Sequence, residues 1–326
     1  MISNIWDSLF WLMSGLAVLL TAGHYLIPAT LGLATRLRLP AQTIAVLVVA
    51  GGTSAPELLV SLDAGLSGQP DIALGNIIGS NITNFLLVLG LGALFFAVRT
   101  DEPASRRDLM MLLAVTLIFA LSGFLFSALS FVISFGLVVM VGFYIRSLLK
   151  SGALEAELEA DIAGDDNAAL EKPSLMQASL ASLACVAGLL IGANWMVDGA
   201  VQLAEASGIS SAVIALTIVA IGTSLPEIAA VVASLLHKRG DMALGNVLGS
   251  NIFNLAAIGG LTGLVAPLPF SDQLSGFALP WLIGITGLLA LLIWRGRPLG
   301  RVTALLLLCF YGLFLAMSAA GLTTIG

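Results

Sequence analysis

Two stretches of the chain, 170 residues apart, carry the same polar residues in the same order. Gly51 to Gly90 reads GGTSAPELLVSLDAGLSGQPDIALGNIIGSNITNFLLVLG, and Ile221 to Gly260 reads IGTSLPEIAAVVASLLHKRGDMALGNVLGSNIFNLAAIGG. Without a gap, 17 of 40 positions are identical. The shared residues are mainly Thr, Ser, Pro, Glu, Gly and Asn, so the repeat preserves polar chemistry and not mere apolarity. A chain of this kind must fold as two related halves.

The surroundings of the repeat are strongly apolar. Of 326 residues, 59% are hydrophobic and 10% charged, against roughly 25% charged in soluble domains. Such a chain cannot solvate its surface as a soluble helical protein would. Ten apolar segments, each long enough to span a bilayer as a helix, fall at about 6–34, 40–66, 71–98, 109–127, 129–149, 175–205, 210–236, 241–266, 276–294 and 301–323. The division between the fourth and fifth rests on Ser127-Ala128. The sequence therefore predicts an all-α polytopic membrane protein. The first segment has no basic flank or small-residue cleavage site and is read as retained. Cys185 and Cys309 lie inside apolar runs without metal-site spacing and are expected to be small buried hydrophobes. The only histidines, His24 and His237, rule out an HExxH metalloprotease.

The basic residues orient the spans. Arg36 and Arg38 follow segment one, and Arg99, Arg106 and Arg107 follow segment three. Arg146, Lys150 and Lys172 flank the gap after segment five. Lys238 and Arg239 follow segment seven, and Arg295, Arg297 and Arg301 follow segment nine. All 13 fall on one side of a ten-span arrangement, which the positive-inside rule makes cytoplasmic, with both termini outside. Five spans per half means that the second half enters the membrane in the opposite sense. The uncharged turn Ser67-Gly68-Gln69-Pro70 aligns with the basic turn His237-Lys238-Arg239-Gly240, as inversion requires. The expected organisation is a first five-helix repeat over 1–150, an acidic cytoplasmic loop over 151–173 and an inverted repeat over 174–326. The loop carries Glu155, Glu157, Glu159, Asp161, Asp165, Asp166 and Glu171 without EF-hand spacing, and reads as a solvated linker.

Within each copy, Thr and Glu four residues apart share a helix face. Thr53, Ser54 and Glu57 recur as Thr223, Ser224 and Glu227. In the following span, Asn76, Ser80 and Asn84 form a stripe repeated by Asn246, Ser250 and Asn254. These are all oxygen donors, the set that hard cations such as Ca2+ and Na+ prefer over the His or Cys of zinc and copper sites. Pro56 and Pro226 are expected to free the carbonyls of Gly52 and Gly222, with Gly51, Gly52 and Gly222 allowing a bend at the same place. Gly75, Gly79, Gly245 and Gly249 read as close-packing positions, and Asn81 and Asn251 as helix-packing hydrogen bonders. A carboxylate at the bilayer centre costs about 2.5–3.5 kcal/mol on insertion scales, so two repeated Glu residues point to function. Asp63 and Asp198 are not duplicated and are weaker candidates.

GTSAPE with GNIIGSNITN, and GTSLPE with GNVLGSNIFN, resemble the two alpha-repeats of the sodium/calcium exchanger family within the cation/calcium antiporters, in its prokaryotic form. The resemblance implies that Thr53, Ser54, Glu57, Ser80 and Asn84 line a central cation site with Thr223, Ser224, Glu227, Ser250 and Asn254. It adds the backbone carbonyls of Ala50 and Ala220. The chain departs from the pattern in span one, where His24, Tyr25 and Pro28 stand against Asn194, Trp195 and Asp198. Asn254 stands where some relatives carry Asp, which argues against potassium co-transport. The loop is too short for the calcium-binding domains of animal members.

The expected function is exchange of Ca2+ for Na+ by alternating access at a two-Glu site. The ions are the substrates, the bilayer is the surroundings, and no cofactor, nucleic acid or obligatory protein partner is expected. The expected location is a cell membrane, by resemblance the bacterial inner membrane. A Ca2+/H+ antiporter with Glu57 and Glu227 as proton carriers is the alternative on the same fold, and a cation channel a further one. No nucleophile–base pair or metal-hydrolase motif suggests an enzyme.

Overall fold

The computed structural model describes residues 2–100, 103–163, 173–206 and 220–323. They are mostly helical. In order they form α1 (Ile2–Leu37), α2 (Ala41–Thr53), α3 (Ala55–Leu66), α4 (Pro70–Phe95), α5 (Pro103–Phe126), α6 (Phe131–Ala163) and α7 (Leu175–Ala206). After a single turn at Ala220–Gly222 come α8 (Leu225–Leu236), α9 (Gly240–Val265), α10 (Leu274–Trp294) and α11 (Arg301–Thr323). Eight of these are long and apolar enough to cross a bilayer, and nine if α2 and α3 count as one bent span. The expected span at 210–236 is described from Ala220 onward, and its earlier part lies outside the described residues, as do Asp165, Asp166 and Glu171 of the acidic loop. Large side chains such as Phe10, Leu125, Phe131, Val132 and Phe143 are exposed. In water they would make unusually large apolar patches, whereas lipid accommodates them.

Three expectations are corrected. The expected loop over 151–173 begins as helix: the apolar stretch ends at Lys150, close to the expected 149, but α6 continues to Ala163, because Ala, Leu and Glu dominate residues 153–160 and all favour helix. The bends expected at the glycines and prolines fall instead between them, at Ser54 and Ser224. Ser54 (φ −81°, ψ 6°) and Ser224 (φ −91°, ψ 1°) leave the helical region, and Pro56 and Pro226 sit in the first turns of α3 and α8, where no backbone donor is missed. In the first copy the axes bend by 45°. Cys309, expected to be buried, is exposed on the outer face of α11, while Cys185 is half-buried. The division between the fourth and fifth segments does fall at Ser127, whose φ is +52°.

Extended backbone occurs where the halves meet. Ala128–Leu129 pairs antiparallel with Leu268–Pro269, and Val98 bridges Leu299 with N–H···O distances of 3.0 and 2.9 Å. Adding the repeat offset of 170 turns Val98 into Leu268 and Leu129 into Leu299. The bridge Val98–Leu299 is thus the counterpart of the pair Leu268–Leu129. The two lie at opposite ends of α5, whose 24 residues span about 36 Å.

α4 and α9 are the most enclosed helices, with 78% of each apolar stretch buried. Around them a large core cluster gathers α5, α6, α10 and α11. A smaller cluster ties α1 and α7 to α8 and to Ala45 and Val49 of α2. α1 and α7 approach to backbone contact: a Cβ at Gly192 would lie 2.7 Å from the Leu19 nitrogen and 2.9 Å from the Gly15 oxygen.

A buried polar cluster away from the repeat joins two helices. Gln42 Nε2 donates to Asp108 Oδ2 at 3.0 Å and Arg107 Nε to Asp108 Oδ1 at 3.0 Å, tying α2 to α5. Asp108 is fully enclosed. Asp108→Ala strips both donors of their acceptor, and a loss of about 3 kcal/mol is expected in unfolding measured in detergent. The double variant Gln42→Leu/Asp108→Leu should lose less, since an apolar pair leaves no buried amide unpaired.

Candidate cation site

The breaks at Ser54 and Ser224 put Glu57 and Glu227 in the first turns of α3 and α8, where a helix N-terminus favours negative charge. Both carboxylates are 2% exposed. They stand close enough to repel one another, with Thr53 beside Glu227. Ser54, Ser80, Asn84, Ser224, Ser250 and Asn254 are also buried, and Thr223 is half-buried.

α4 and α9 carry the second half of each motif. Asn254 Nδ2 donates to Ser80 Oγ at 3.0 Å, joining the two copies directly. Gly249 rests on α2, where a Cβ would lie 3.0 Å from Ala50 Cβ and 3.2 Å from Val46 Cα. Gly245 rests likewise on Gln42. The segment that the repeat would set against Gly75 and Gly79 lies outside the described residues.

The backbone is irregular at the same level. Ala45–Ala50, Asn84–Val88 and Phe253–Ile258 are π-helical, a geometry concentrated at functional sites. Asn84 opens one such turn and Asn254 lies in another. The Ala50 carbonyl accepts the Ser54 N–H at 3.1 Å and the Thr53 hydroxyl at 3.4 Å. In the second copy the Ser224 N–H goes to Ile221 at 3.0 Å. Ala220 begins the single turn ahead of it.

The decisive feature is what these oxygens lack. Ser54 Oγ, Glu57 Oε2, Asn84 Oδ1, both Glu227 oxygens, Ser250 Oγ and Asn254 Oδ1 are buried without a hydrogen-bond partner. Buried polar groups are ordinarily paired, and leaving one unpaired costs about 1–3 kcal/mol. Their concentration from both copies of the motif suits a hard cation that takes 6–8 oxygens. Among the described residues no group of three or more His, Cys, Asp and Glu gathers, so the donors would be two carboxylates and neutral oxygens.

The stripe asparagines differ between copies. Asn76 donates to the Glu57 carbonyl at 3.0 Å and to Ser61 Oγ at 2.9 Å, fastening α4 to α3. Ser61 aligns with Val231, and both side-chain polar atoms of Asn246 are buried and unpartnered. Asn81 and Asn251, expected to bond between helices, instead donate to Ile77 and Val247 four residues back, each at 2.6 Å. Asn246, which the repeat places in the polar stripe with Ser250 and Asn254, thus differs from its counterpart Asn76, and the change from Ser61 to Val231 is the sequence mark of that difference.

The sequence model for sodium/calcium exchanger proteins matches residues 7–150 and 178–320. The chain is a member of the sodium/calcium exchanger family. It is 31% identical to the sodium/calcium exchanger MaX1 of Methanosarcina acetivorans, over 94% of this chain and 97% of that one. It is 36% identical to the putative antiporter CaxA of Alkalimonas amylolytica, over 79% and 80% respectively. Among solved structures it matches the sodium-calcium exchanger NCX_Mj soaked with 2.5 mM Na+ and 10 mM Sr2+, with a TM-score of 0.81, 28% identity and coverage of 96% and 99%. Membership makes this a membrane-embedded cation antiporter.

Proposed function

We propose that the protein exchanges Ca2+ for Na+ at one central site built from Thr53, Ser54, Glu57, Ser80 and Asn84 together with Thr223, Ser224, Glu227, Ser250 and Asn254. The carbonyls of Ala50 and Ala220 complete it. The observation that carries this reading is the set of unpartnered buried oxygens drawn from both copies of the motif. Two carboxylates are neutralised by one Ca2+ or by a group of Na+ ions competing for overlapping oxygens. An empty site keeps two like charges together in a low-dielectric interior. That disfavours an unloaded, closed protein, so crossing requires cargo, and sodium entry drives calcium extrusion.

The same reading takes the chain as ten spans in two inverted halves, 1–150 and 174–326, with 151–173 cytoplasmic and both termini outside. The exchange of bridge partners under the offset of 170 supports the inversion. Access alternates by rocking of α1 and α7 against the core around α4 and α9. Their position outside the large core cluster is compatible with this movement, although α1 and α7 also pack on α8 and on Ala45 and Val49 of α2.

Calcium uptake into proteoliposomes tests the coupling ion. Sodium-loaded vesicles should take up calcium, and potassium-loaded vesicles should not. Uptake driven by a pH gradient and indifferent to sodium would assign the proton-coupled alternative instead. Flux without any counter-ion would indicate a channel.

A further inference from the structure

The two histidines of the chain, 213 positions apart, meet in the fold. His24 is on α1, and His237 follows the last residue of α8. Their ring centres are 5.7 Å apart and their planes inclined by 48°. The contact follows from how α1 crosses α8. A Cβ at Gly23 would lie 3.6 Å from the Ala229 oxygen and 3.7 Å from Ala233 Cβ, and His237 is one turn beyond Ala233.

Two features suit this pair to a metal. Imidazoles sharing one ion through nitrogens at about 2.0–2.1 Å have ring centres about 5.1–5.6 Å apart for N–metal–N angles from tetrahedral to trigonal. The observed 5.7 Å lies just above that range, so a small approach of the rings would bring them to bridging distance. His237 Nδ1 is 2.9 Å from the Ala233 carbonyl. A neutral imidazole donating there keeps Nε2 as the acceptor, the arrangement in which metal-binding histidines are usually held. Of the adjacent cationic residues, Arg239 is paired with Asp241, and Lys238 is exposed with a φ of +58°.

We propose that His24 and His237 form a two-imidazole site for a borderline-soft divalent cation of the Zn2+, Ni2+ or Cu2+ class, and that an ion held there clamps α1 to α8. The site is distinct from the central one in donor chemistry, nitrogen against oxygen. The clamp rests on the proposed movement of α1 in exchange; the binding does not.

The test uses full-length protein without a histidine tag. Calorimetry in detergent with Zn2+ and with Ni2+ should find one equivalent per chain, weakened roughly 10- to 100-fold or more in His24→Ala, His24→Gln and His237→Ala. Glu57→Gln should leave this binding unchanged. Unaltered affinity in the histidine variants, or loss of the equivalent in Glu57→Gln, overturns the site. In proteoliposomes, Zn2+ should slow calcium flux through the wild type and not through His24→Gln. Wild-type flux indifferent to Zn2+ that is demonstrably bound overturns the clamp. A wild type with no calcium flux at all would instead count against the exchange reading, and calorimetry would still decide the site.

Discussion

Replacing either repeated glutamate with glutamine should reduce calcium exchange below about a hundredth of the wild-type rate, because even outer-shell changes cost metal sites about 10–100-fold. Glutamine keeps the shape and one carbonyl oxygen while removing the charge that answers the cation. Two carboxylates match one Ca2+, and one carboxylate leaves a net positive charge in a site whose oxygens are almost wholly sealed from water. The empty protein should not suffer. Glu57 and Glu227 are close, buried and short of partners, so neutralising one removes a desolvation cost and a repulsion. The expected pattern is thus loss of function with equal or greater stability in the absence of ions. Calcium should stabilise the wild type by about 2.7 kcal/mol at a hundred times Kd, read as a higher unfolding midpoint. The same addition should leave Glu57→Gln and Glu227→Gln nearly unmoved. Exchange at the wild-type rate in both variants would remove the proposed site, and instability without ions would mean that the carboxylates serve folding.

The residues of the proposed site stand out in the sequence because the chain writes them twice. Thr, Ser, Glu and Asn recurring at an offset of 170 within apolar segments have no packing purpose that Leu or Ala would not serve better. The same offset relates the bridge Val98–Leu299 to the pair Leu268–Leu129, a correspondence that only the fold brings out. Backbone detail was not legible in the sequence. A proline in an apolar run reads as a kink, yet Pro56 starts a new helix because Ser54 has already left the helical region. The π turns at Asn84 and Phe253 depend on what packs around them and leave no local sequence mark. Features belonging to one half alone were equally hidden. Gln42 and Asp108 come together only through the packing of α2 on α5. Asn76 and Asn246 look equivalent until Ser61 is set against Val231.

Two glycines should separate backbone collision from side-chain collision. A Cβ at Gly192 would meet the Leu19 nitrogen at 2.7 Å, the Gly15 oxygen at 2.9 Å and Leu19 Cα at 3.0 Å. None of these atoms can turn aside, so Gly192→Ala must push α1 from α7. Overpacking of this kind costs about 1–3 kcal/mol, and in a bilayer packing is the main force holding helices together. Trimming the neighbour, Leu19→Ala, should therefore rescue nothing. A Cβ at Gly52 meets Val186 Cγ1 at 2.6 Å and Cγ2 at 3.3 Å, but Val186 Cβ only at 3.5 Å. Gly52→Ala should thus destabilise on its own and be rescued by Val186→Ala, with a coupling of roughly 0.5–3 kcal/mol between the two sites. Gly312 has nothing within 4 Å, and alanine there should be neutral or stabilising by up to about 1 kcal/mol. Unfolding midpoints of the five single variants and two doubles in detergent check the set. Rescue of Gly192→Ala by Leu19→Ala would show that α1 and α7 are held apart by side chains. They would then be free to slide on one another. Failure of that rescue would show instead that the two helices meet backbone to backbone at this point.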